Sequence, residues 1–218
     1  MTKKAFATLG TYFDEPSRSA AMNMAIDEAL LEIAALPSVR FYRWDHLALS
    51  FGYFGRFADV AEHKRDSVRR WTGGGIVLHG EDLTYSLIIP ASDPAFADSS
   101  SSIYENIHCA IQRALGGEAQ LVAKAETKIS ESCFANPVRA DVMMNGRKIA
   151  GAAQRRTRRG LLQQGSIQHV DLAPDFEMRF AQELASESIA RELNGSILDR
   201  AREIAAQKYG TDAWLRRR

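Results

Sequence analysis

Three consecutive glycines, Gly73, Gly74 and Gly75, lie between two apolar, β-rich segments. Glycine has no Cβ, so a ligand or another backbone segment can approach closely, and left-handed backbone conformations cost little. Within a strand pattern such glycines mark a close approach, a bulge or a sharp bend. Two arginines precede them and His79 follows. That set suits an anionic or acyl ligand lying along exposed backbone, and the alternative is an ordinary glycine-rich hairpin.

Two common nucleotide-binding loops do not match this segment. A dinucleotide-binding loop needs Gly-x-Gly-x-x-Gly at the start of a helix, whereas a strand pattern follows Gly75. A P-loop needs Lys-Ser or Lys-Thr after its glycines, and neither pair follows here. The glycines are therefore not predicted to bind nucleotide in either of these two ways.

The composition is that of an ordinary globular chain. Of the 218 residues, 45% are hydrophobic and 25% are charged, and the net charge of +1 favours neither nucleic acid nor an anionic membrane as a partner. No apolar run is long enough for a membrane span and no secretory signal is recognisable, so a cytoplasmic location is expected. The two cysteines, Cys109 and Cys133, are too few for a disulfide framework or a four-ligand zinc site, and no metal site is expected.

Hydrophobic periodicity in the first half of the chain predicts a sheet with one long helix packed against it. A strand is expected at residues 5–12, a turn at 14–17 and a helix at 19–35. Two β-rich runs, 39–44 and 47–54, predict a hairpin.

Asn23 and Asp27 lie four residues apart on one face of the predicted helix. Water is the commoner environment for such side chains. The alternative is that they tie the helix to a loop.

The second half predicts a helix followed by hairpins and further helices. Isoleucines four residues apart from Ile103 predict a helix that ends at Gly116-Gly117. Asn145-Gly146 is the strongest turn signal in the chain. With a second hairpin over residues 154–168 it predicts a small antiparallel sheet presenting Lys148, Gly151, Gln164 and Gly165. Helices are expected at 176–185 and 196–209, and the three terminal arginines are expected to be disordered.

Several segments resemble the catalytic domain shared by biotin ligases, lipoate–protein ligases and octanoyltransferases. Residues 69–79 are similar to the family's acyl-binding loop, Arg-Arg-x-x-Gly-Gly-Gly-x-Val-x-His. Residues 145–154 are similar to its Asn-Gly-Arg-Lys segment, whose lysine meets the carboxyl end of the acyl group. Residues 164–167 resemble its Gln-Gly-Ser-Ile strand, and residues 22–31 resemble its first helix. The resemblance extends over residues 15–175, in the family's order.

The resemblance implies an α+β fold with a larger mixed sheet and a smaller sheet, flanked by helices. Residues 1–218 are expected to form one catalytic domain, without the accessory C-terminal domain that many lipoate ligases use for adenylation. His79 is given a supporting role that orients the loop, the alternative being an ordinary core or turn histidine. The substrate-binding residues implied by the resemblance are Arg70, Trp71, Gly73, Gly74, Gly75, Val77, His79, Gly151, Ala152, Gln164 and Gly165.

Cys133 and Lys148 form the catalytic pair that the resemblance implies. Cys133-Phe134 precedes Lys148 as in octanoyltransferases of Gram-positive type, where this cysteine is the nucleophile. A thiolate attacks thioesters effectively, and a nearby lysine cation lowers the pKa of a thiol. Lys148 would act as the acid/base partner in both acyl-transfer steps. Trp71, Val77 and Leu78 are expected to contribute to an apolar slot for the octanoyl tail.

Three functions are compatible with these sequence features. A transferase would move octanoyl or lipoyl from acyl carrier protein to an apo lipoyl domain, either glycine cleavage H protein or the E2 subunit of a 2-oxoacid dehydrogenase, without a cofactor. An ATP-dependent lipoate–protein ligase would act through lipoyl-AMP and need ATP and Mg²⁺. A non-catalytic module would only hold an acyl carrier or lipoyl domain. Cys133 and the absence of room for an accessory domain favour transfer.

Two further features bear on partners and substrate. Arg155, Arg156, Arg158 and Arg159 form a basic run that faces water, an acidic carrier protein or nucleotide phosphates. A solvated hairpin is the default, and an acidic protein partner is the preferred functional interpretation. After Gly52-Tyr53-Phe54, where family members often have Gln, this chain has Gly55-Arg56. This departure indicates a changed substrate preference.

Overall fold

A computed structural model describes residues 4–123, 134 and 136–217. In this part of the chain an eight-stranded mixed sheet and a three-stranded sheet are flanked by helices, which confirms the expected α+β class. The strands are β1 (Phe6–Arg18), β2 (Ser38–Trp44), β3 (Ala48–Phe51), β4 (Asp66–Arg69), β5 (Val77–His79), β6 (Leu83–Pro90), β7 (Gln120–Leu121), β8 (Val142–Met144), β9 (Arg147–Arg156), β10 (Gly160–Ile167) and β11 (Ala185–Arg191). The helices are α1 (Ala20–Ile33), α2 (Ser100–Leu115), α3 (Phe176–Leu184), α4 (Gly195–Ile204) and α5 (Asp212–Leu215).

The large sheet has the order β11-β1-β2-β6-β10-β9-β8-β7, and the small sheet has the order β4-β3-β5. Every residue of the central strands β6 and β10 is buried, because helices cover both faces. Tyr42, Ile88 and Leu162 pack with α1 and α4 on one face. Phe41 and Tyr85 pack with α2 and α3 on the other. The large sheet is therefore the middle layer of three.

The first two helices form in the predicted segments, with α1 ending two residues before the predicted end at residue 35 and α2 ending at Gly116 as predicted. Ser19 caps α1 by accepting a hydrogen bond from the Met22 N–H, and Ser99 caps α2 in the same way through the Ser102 N–H. Gly116 ends α2 with a φ of 68°, in the left-handed region that favours glycine. None of the helices within the described residues combines the length and apolar character needed to cross a bilayer.

The predicted hairpin over residues 39–54 is wrong. β2 pairs with β1 and β6 in the large sheet, whereas β3 pairs with β4 and β5 in the small one. Both strands are almost entirely buried, so they have no polar face to show which neighbour each one pairs with. The sequence pattern of β2, β3 and the short linker between them therefore fits a hairpin and also fits two strands that belong to different sheets.

Four other predictions about secondary structure differ from the structure. The hairpins around Asn145-Gly146 and Gly160 form, but β10 pairs with β6, so they extend the large sheet instead of forming a small one. No turn interrupts residues 14–17, where β1 continues with an irregular register against β2. β11 follows α3 and was not predicted, because it is a mostly exposed, polar edge strand. Arg217 is ordered, since it packs over Tyr53 and Trp214.

Candidate active site

A cavity of about 460 Å³ lies beside β9 and β10, on the face of the large sheet that α1 covers. Met24, Tyr42 and Trp44 give it apolar walls, and the glycine loop after β4 gives it a backbone wall. This volume lies within the range of about 300–1,000 Å³ that is usual for small-molecule pockets.

Arg70 sets the shape of the glycine loop. Its Nη2 donates hydrogen bonds to the carbonyl oxygens of Gly73 and Gly75, at 3.0 and 2.8 Å. Gly74, between them, has a φ of 82°. The loop also rests on Gly52, where a Cβ would overlap the Gly74 carbonyl. Arg70 therefore holds the loop that lines the cavity, and residues without a Cβ make this close packing possible.

A buried relay continues from Arg70 through Ser50 and His79 to Asp82. Arg70 Nη1 donates to Ser50 Oγ at 2.6 Å, Ser50 Oγ lies 2.6 Å from His79 Nε2, and His79 Nδ1 lies 2.8 Å from Asp82 Oδ2. Because Ser50 accepts from Arg70, its own hydrogen is assigned to Nε2, which makes His79 a neutral imidazole with its proton on Nδ1.

The pKa values of the relay agree with that assignment. Burial lowers the pKa of His79. Burial alone would raise the pKa of Asp82, but His79 and the hydrogen bonds from Ser166 and the Gly80 N–H outweigh it and lower the pKa to about 2. The His79 ring also stacks on Trp44, with 4.0 Å between centroids. His79 is thus fixed from three sides, and sequence reasoning did not find Ser50, whose only signal is a hydroxyl within an apolar strand.

Lys148 lies at the cavity wall in a buried ion pair with Asp141. Its Nζ is 2.7 Å from Asp141 Oδ2, and the two side chains are 5% and 0% exposed. The Tyr104 hydroxyl donates to Asp141 Oδ1 at 2.5 Å, and the Val138 N–H donates to Oδ2 at 2.7 Å. Burial and the Asp141 charge raise the pKa of Tyr104, which keeps it a donor. Asp141 and Tyr104 were missed by sequence reasoning, since both lie outside the lysine segment.

Gly151 explains how Lys148 fits against β9. A Cβ at Gly151 would lie 2.5 Å from Lys148 Cε and 2.7 Å from Nζ. Any side chain there would move the end of Lys148 away from its present position. Gly151, five residues after Gly146 of the turn, therefore helps to place the lysine side chain.

Asn23 and Asp27 are completely buried, so the expectation that they face water is wrong. Arg40 Nη1 donates to Asp27 Oδ1 at 2.8 Å, and Arg40 Nη2 donates to Asn23 Oδ1 at 2.7 Å. Asp27 Oδ2 also accepts from Gln164 Nε2 at 2.7 Å, and Gln164 Oε1 accepts from Thr72 at 2.8 Å. This buried network connects α1 to the cavity wall and to the glycine loop.

The structure brings most of the predicted site residues to one cavity. Trp71 lies outside the lining, beneath Lys208 and Arg155. Gly73 is also outside it, and Leu78 is 44% exposed and faces a separate groove. The predicted residues that line the cavity are Arg70, Gly74, Gly75, Val77, His79, Lys148, Gly151, Ala152, Gln164 and Gly165. Their roles in binding and catalysis stay predictions.

Cys133, the predicted nucleophile, lies outside the described residues. Its neighbour in the sequence, Phe134, lines the cavity, with its ring centroid 5.4 Å from Lys148 Nζ. Cys109 is half-buried within α2, where burial raises the pKa of its thiol. Among residues 4–123, 134 and 136–217, no group of three or more His, Cys, Asp or Glu side chains is arranged to hold a metal ion.

His108 predicts a pH dependence of stability. Its Nδ1 donates to the Ala140 carbonyl at 2.7 Å, its Nε2 lies 3.2 Å from the Tyr85 hydroxyl, and burial lowers its pKa from 6.5 to about 4. As the pH falls from 6.5 to 4, His108 binds a proton in the unfolded chain but not in the folded chain. The free energy of unfolding should therefore fall by about 3 kcal/mol between pH 6.5 and 4 through this residue.

Urea denaturation at pH 7 and pH 4.5 checks this expectation. His108→Gln should lose most of the difference between the two pH values, and His46→Gln, at an exposed histidine, should keep it. An unchanged difference in His108→Gln would contradict the assignment.

Comparison with known proteins places the chain in a family. The family model for the lipoyl protein ligase A/B catalytic domain matches residues 19–190. The chain is 36% identical over 177 residues to octanoyltransferase LipM of Brevibacillus brevis, and 38% identical over 185 residues to that of Oceanobacillus iheyensis. These matches cover 72% and 78% of the chain, and 64% and 66% of the relatives, so the chain spans slightly under two thirds of their length.

Solved structures share the fold. A T. acidophilum protein with bound lipoic acid superposes with a TM-score of 0.75 at 22% identity, over 96% of this chain and 98% of that one. A bi-partite lipoate protein ligase from Thermoplasma acidophilum, studied with its E2 lipoyl domain, gives a TM-score of 0.71 at 20% identity, over 97% and 96% of the two chains. The fold is that of a lipoyl ligase-type catalytic domain. The chain belongs to the lipoyl protein ligase A/B catalytic domain family.

Proposed function

We propose that this chain transfers an octanoyl group, or a lipoyl group, from acyl carrier protein through a thioester on Cys133 to a lysine of an apo lipoyl domain. The observation that supports it most is the buried Lys148–Asp141 pair, which lies at an apolar cavity beside Phe134, the residue after Cys133. The identity of 36–38% to octanoyltransferases supports the choice of reaction.

In the first half-reaction the Cys133 thiolate attacks the carbonyl carbon of the octanoyl thioester. The bond from that carbon to the carrier sulfur breaks, and the carrier thiolate takes a proton from the Lys148 ammonium. The products are octanoyl-Cys133, a carrier thiol and a neutral Lys148. Asp141 keeps Lys148 in place for this transfer, since it accepts from Tyr104 and Val138 as well.

In the second half-reaction the amine of the acceptor lysine attacks the same carbonyl carbon. Lys148 takes the proton that the amine loses, and the Cys133 thiolate leaves. An amide forms, and the enzyme returns to its starting protonation state. Lys148 therefore acts as acid in one step and base in the next, and the sequence of steps needs no ATP.

The apolar walls give the octanoyl chain a dry environment. Met24, Tyr42 and Trp44 line the cavity, and each buried methylene contributes about 0.8 kcal/mol. The chain length that fits the cavity would then dominate selectivity. Glycine cleavage H protein and the E2 subunits of 2-oxoacid dehydrogenases are the proposed acceptors.

The proposal is tested by the intact mass of the protein after incubation with octanoyl-acyl carrier protein in the absence of ATP. An octanoyl adduct is expected on the wild type and on Cys109→Ala, the matched control at the other cysteine, and not on Cys133→Ala. The adduct should move to an added apo lipoyl domain.

The opposite pattern would identify an ATP-dependent lipoate ligase. In that case the lipoyl domain would be modified only when lipoate, ATP and Mg²⁺ are supplied, and Cys133→Ala would remain active. No modification under either condition would overturn both enzymatic functions and favour a binding module.

A further inference from the structure

Three cations and three aromatic rings form a surface that we call the basic–aromatic patch, consisting of Arg155, Lys208, Arg217, Tyr53, Trp71 and Trp214. The Arg155 guanidinium lies 4.6 Å from the Tyr53 ring centroid, and Arg217 lies 4.3 Å from the same ring. Lys208 Nζ lies 4.2 Å from the Trp71 ring and 4.4 Å from the Trp214 ring. The cations thus share rings and lie near one another.

The charge of the patch is unbalanced. Lys208 forms an ion pair with Glu28 at 2.6 Å. Within the described residues, the structure shows no ion pair for Arg155 or Arg217. Burial lowers the pKa of Lys208, and the charges of Arg155 and Arg217 lower it further. Like charges held this close repel one another, and an anionic surface laid over them would remove that repulsion.

The patch borders the cavity. Along β9 alternate side chains point to the same face, so Gly151, Ala153 and Arg155 form one row. The first two line the cavity, and Arg155 continues the row into the patch. On the other side Tyr53 belongs to the patch, while its neighbour Phe54 lines the cavity and is 83% exposed.

Arg69 connects the part of the patch at Tyr53 to the part at Trp214 and Arg217. This buried guanidinium donates to the carbonyl oxygen of Tyr53 at 2.9 Å, and to those of Leu215 and Arg217 at 2.9 Å each. The Trp214 indole N–H donates back to the Arg69 carbonyl at 2.9 Å. The patch is therefore preorganised, which reduces the entropy lost when a partner binds.

The basic run of the sequence does not form one surface. Arg156 donates to the carbonyls of Phe96 and Asp98, and Arg159 pairs with Glu32 at 3.3 Å. Of the run, Arg155 has the contacts that define the patch. Arg158 is exposed and is not one of the residues that form the patch.

The distance from the patch to Lys148 bears on which partner docks there. Gly151, which contacts Lys148, is four residues before Arg155 on β9, and four residues of a strand span about 13 Å. A lysine side chain extends only about 6 Å from its Cα, given ordinary bond lengths. A lysine placed directly over the patch would not reach Lys148, whereas an acyl group on a long prosthetic arm would reach it without the donor domain covering the cavity.

We infer that the basic–aromatic patch docks the acidic surface of the protein that delivers the acyl group. The inference rests on the proposed function for the identity of that donor. Arg155, Lys208 and Arg217 are half-buried and keep part of their side chains in water, and charges at the solvent-accessible edge of an interface act mainly on association and on its salt dependence.

The double variant Arg155→Glu/Arg217→Glu tests it, with Arg158→Glu as the matched control. The rate of acyl-Cys133 formation is measured with octanoyl-acyl carrier protein and with octanoyl-pantetheine, which has no protein. The KM for the protein donor should rise at least about tenfold, equivalent to about 1.4 kcal/mol, while kcat and the KM for octanoyl-pantetheine stay unchanged. Arg158→Glu should match the wild type, and raising NaCl should raise the KM of the wild type more than that of the double variant.

Other outcomes overturn the inference. An equal rise in KM for both donors would make the patch part of the acyl site, and a rise in KM for the lipoyl domain alone would make it an acceptor site. An unchanged KM for the protein donor would leave the patch without a docking role. The neutral variant Arg155→Gln/Arg217→Gln, with a thermal melt, separates charge from folding. Carrier binding is also measured by calorimetry, so that docking is still tested if no acyl-enzyme forms and the proposed function fails.

Discussion

Replacing Lys148 by alanine is expected to slow both half-reactions by about 10²- to 10⁴-fold, the usual contribution of a positioned acid/base group. In the proposed mechanism, the Lys148 side chain gives a proton to the leaving thiol and takes one from the incoming amine. Acyl-enzyme formation and acyl transfer are measured separately, by intact mass and by modification of an apo lipoyl domain.

Two further variants separate catalysis from folding. Lys148→Ala leaves the buried Asp141 carboxylate without its cation, so its thermal melt must accompany the assay. Lys148→Gln retains a hydrogen-bond donor for Asp141 and should be equally slow with a smaller loss of stability. Gly151→Ala retains the lysine but displaces its Cε and Nζ, and should be slower than the wild type. Normal acyl transfer by Lys148→Gln would refute the acid/base role.

Replacing Arg40 by methionine is expected to lower the free energy of unfolding by about 3–5 kcal/mol, the usual cost of removing one partner of a buried ion pair. Arg40 is completely buried between Asp14 and Asp27, at 2.7 and 2.8 Å. Asp14 keeps Arg18 as a partner, whereas Asp27 loses its cation. Because Asp27 also holds Gln164, the cavity wall should loosen and acyl-enzyme formation should slow.

Urea denaturation measures this loss. Arg202→Met on α4, which removes an exposed pair with Asp199, is the matched control and should change the midpoint little. Arg40→Lys retains the charge without the planar fork that reaches both carboxylates, so it should lie between the wild type and Arg40→Met. A midpoint for Arg40→Met equal to that of the control would show that the pair adds no net stability.

The elements that sequence reasoning predicted best are those with local causes. α1 and α2 begin at serine caps and follow apolar positions four residues apart, and Asn145-Gly146 forms its turn with φ angles of 51° and 72°. The errors arise where the cause lies far along the chain. β3 leaves β2 for another sheet because β6 fills the place beside β2, and Asp27 is buried because Arg40 comes to it from β2.

The same division applies to the site. The glycine loop and the lysine segment have local motifs, and their residues largely meet at one cavity. Their supports lie elsewhere in the sequence, since Asp141 holds Lys148 and Ser50 joins Arg70 to His79. Arg69 and Arg70 are adjacent in the motif, yet one ties down α5 and the other shapes the loop. Two neighbouring residues of one motif thus have different structural roles, and the sequence motif alone does not distinguish these roles.

The parallel pairing of β1 with β11 has a consequence for synthesis on the ribosome. β1 ends at Arg18 and its outer neighbour begins at Ala185, so about 170 residues must be translated between them. At about 5–20 residues per second, that takes on the order of ten to thirty seconds. Throughout this time one edge of β1 has unpaired backbone groups, which are a template for wrong pairing. The first strand thus keeps an unpaired edge during most of the synthesis of the chain, and transient cover by a chaperone would protect it.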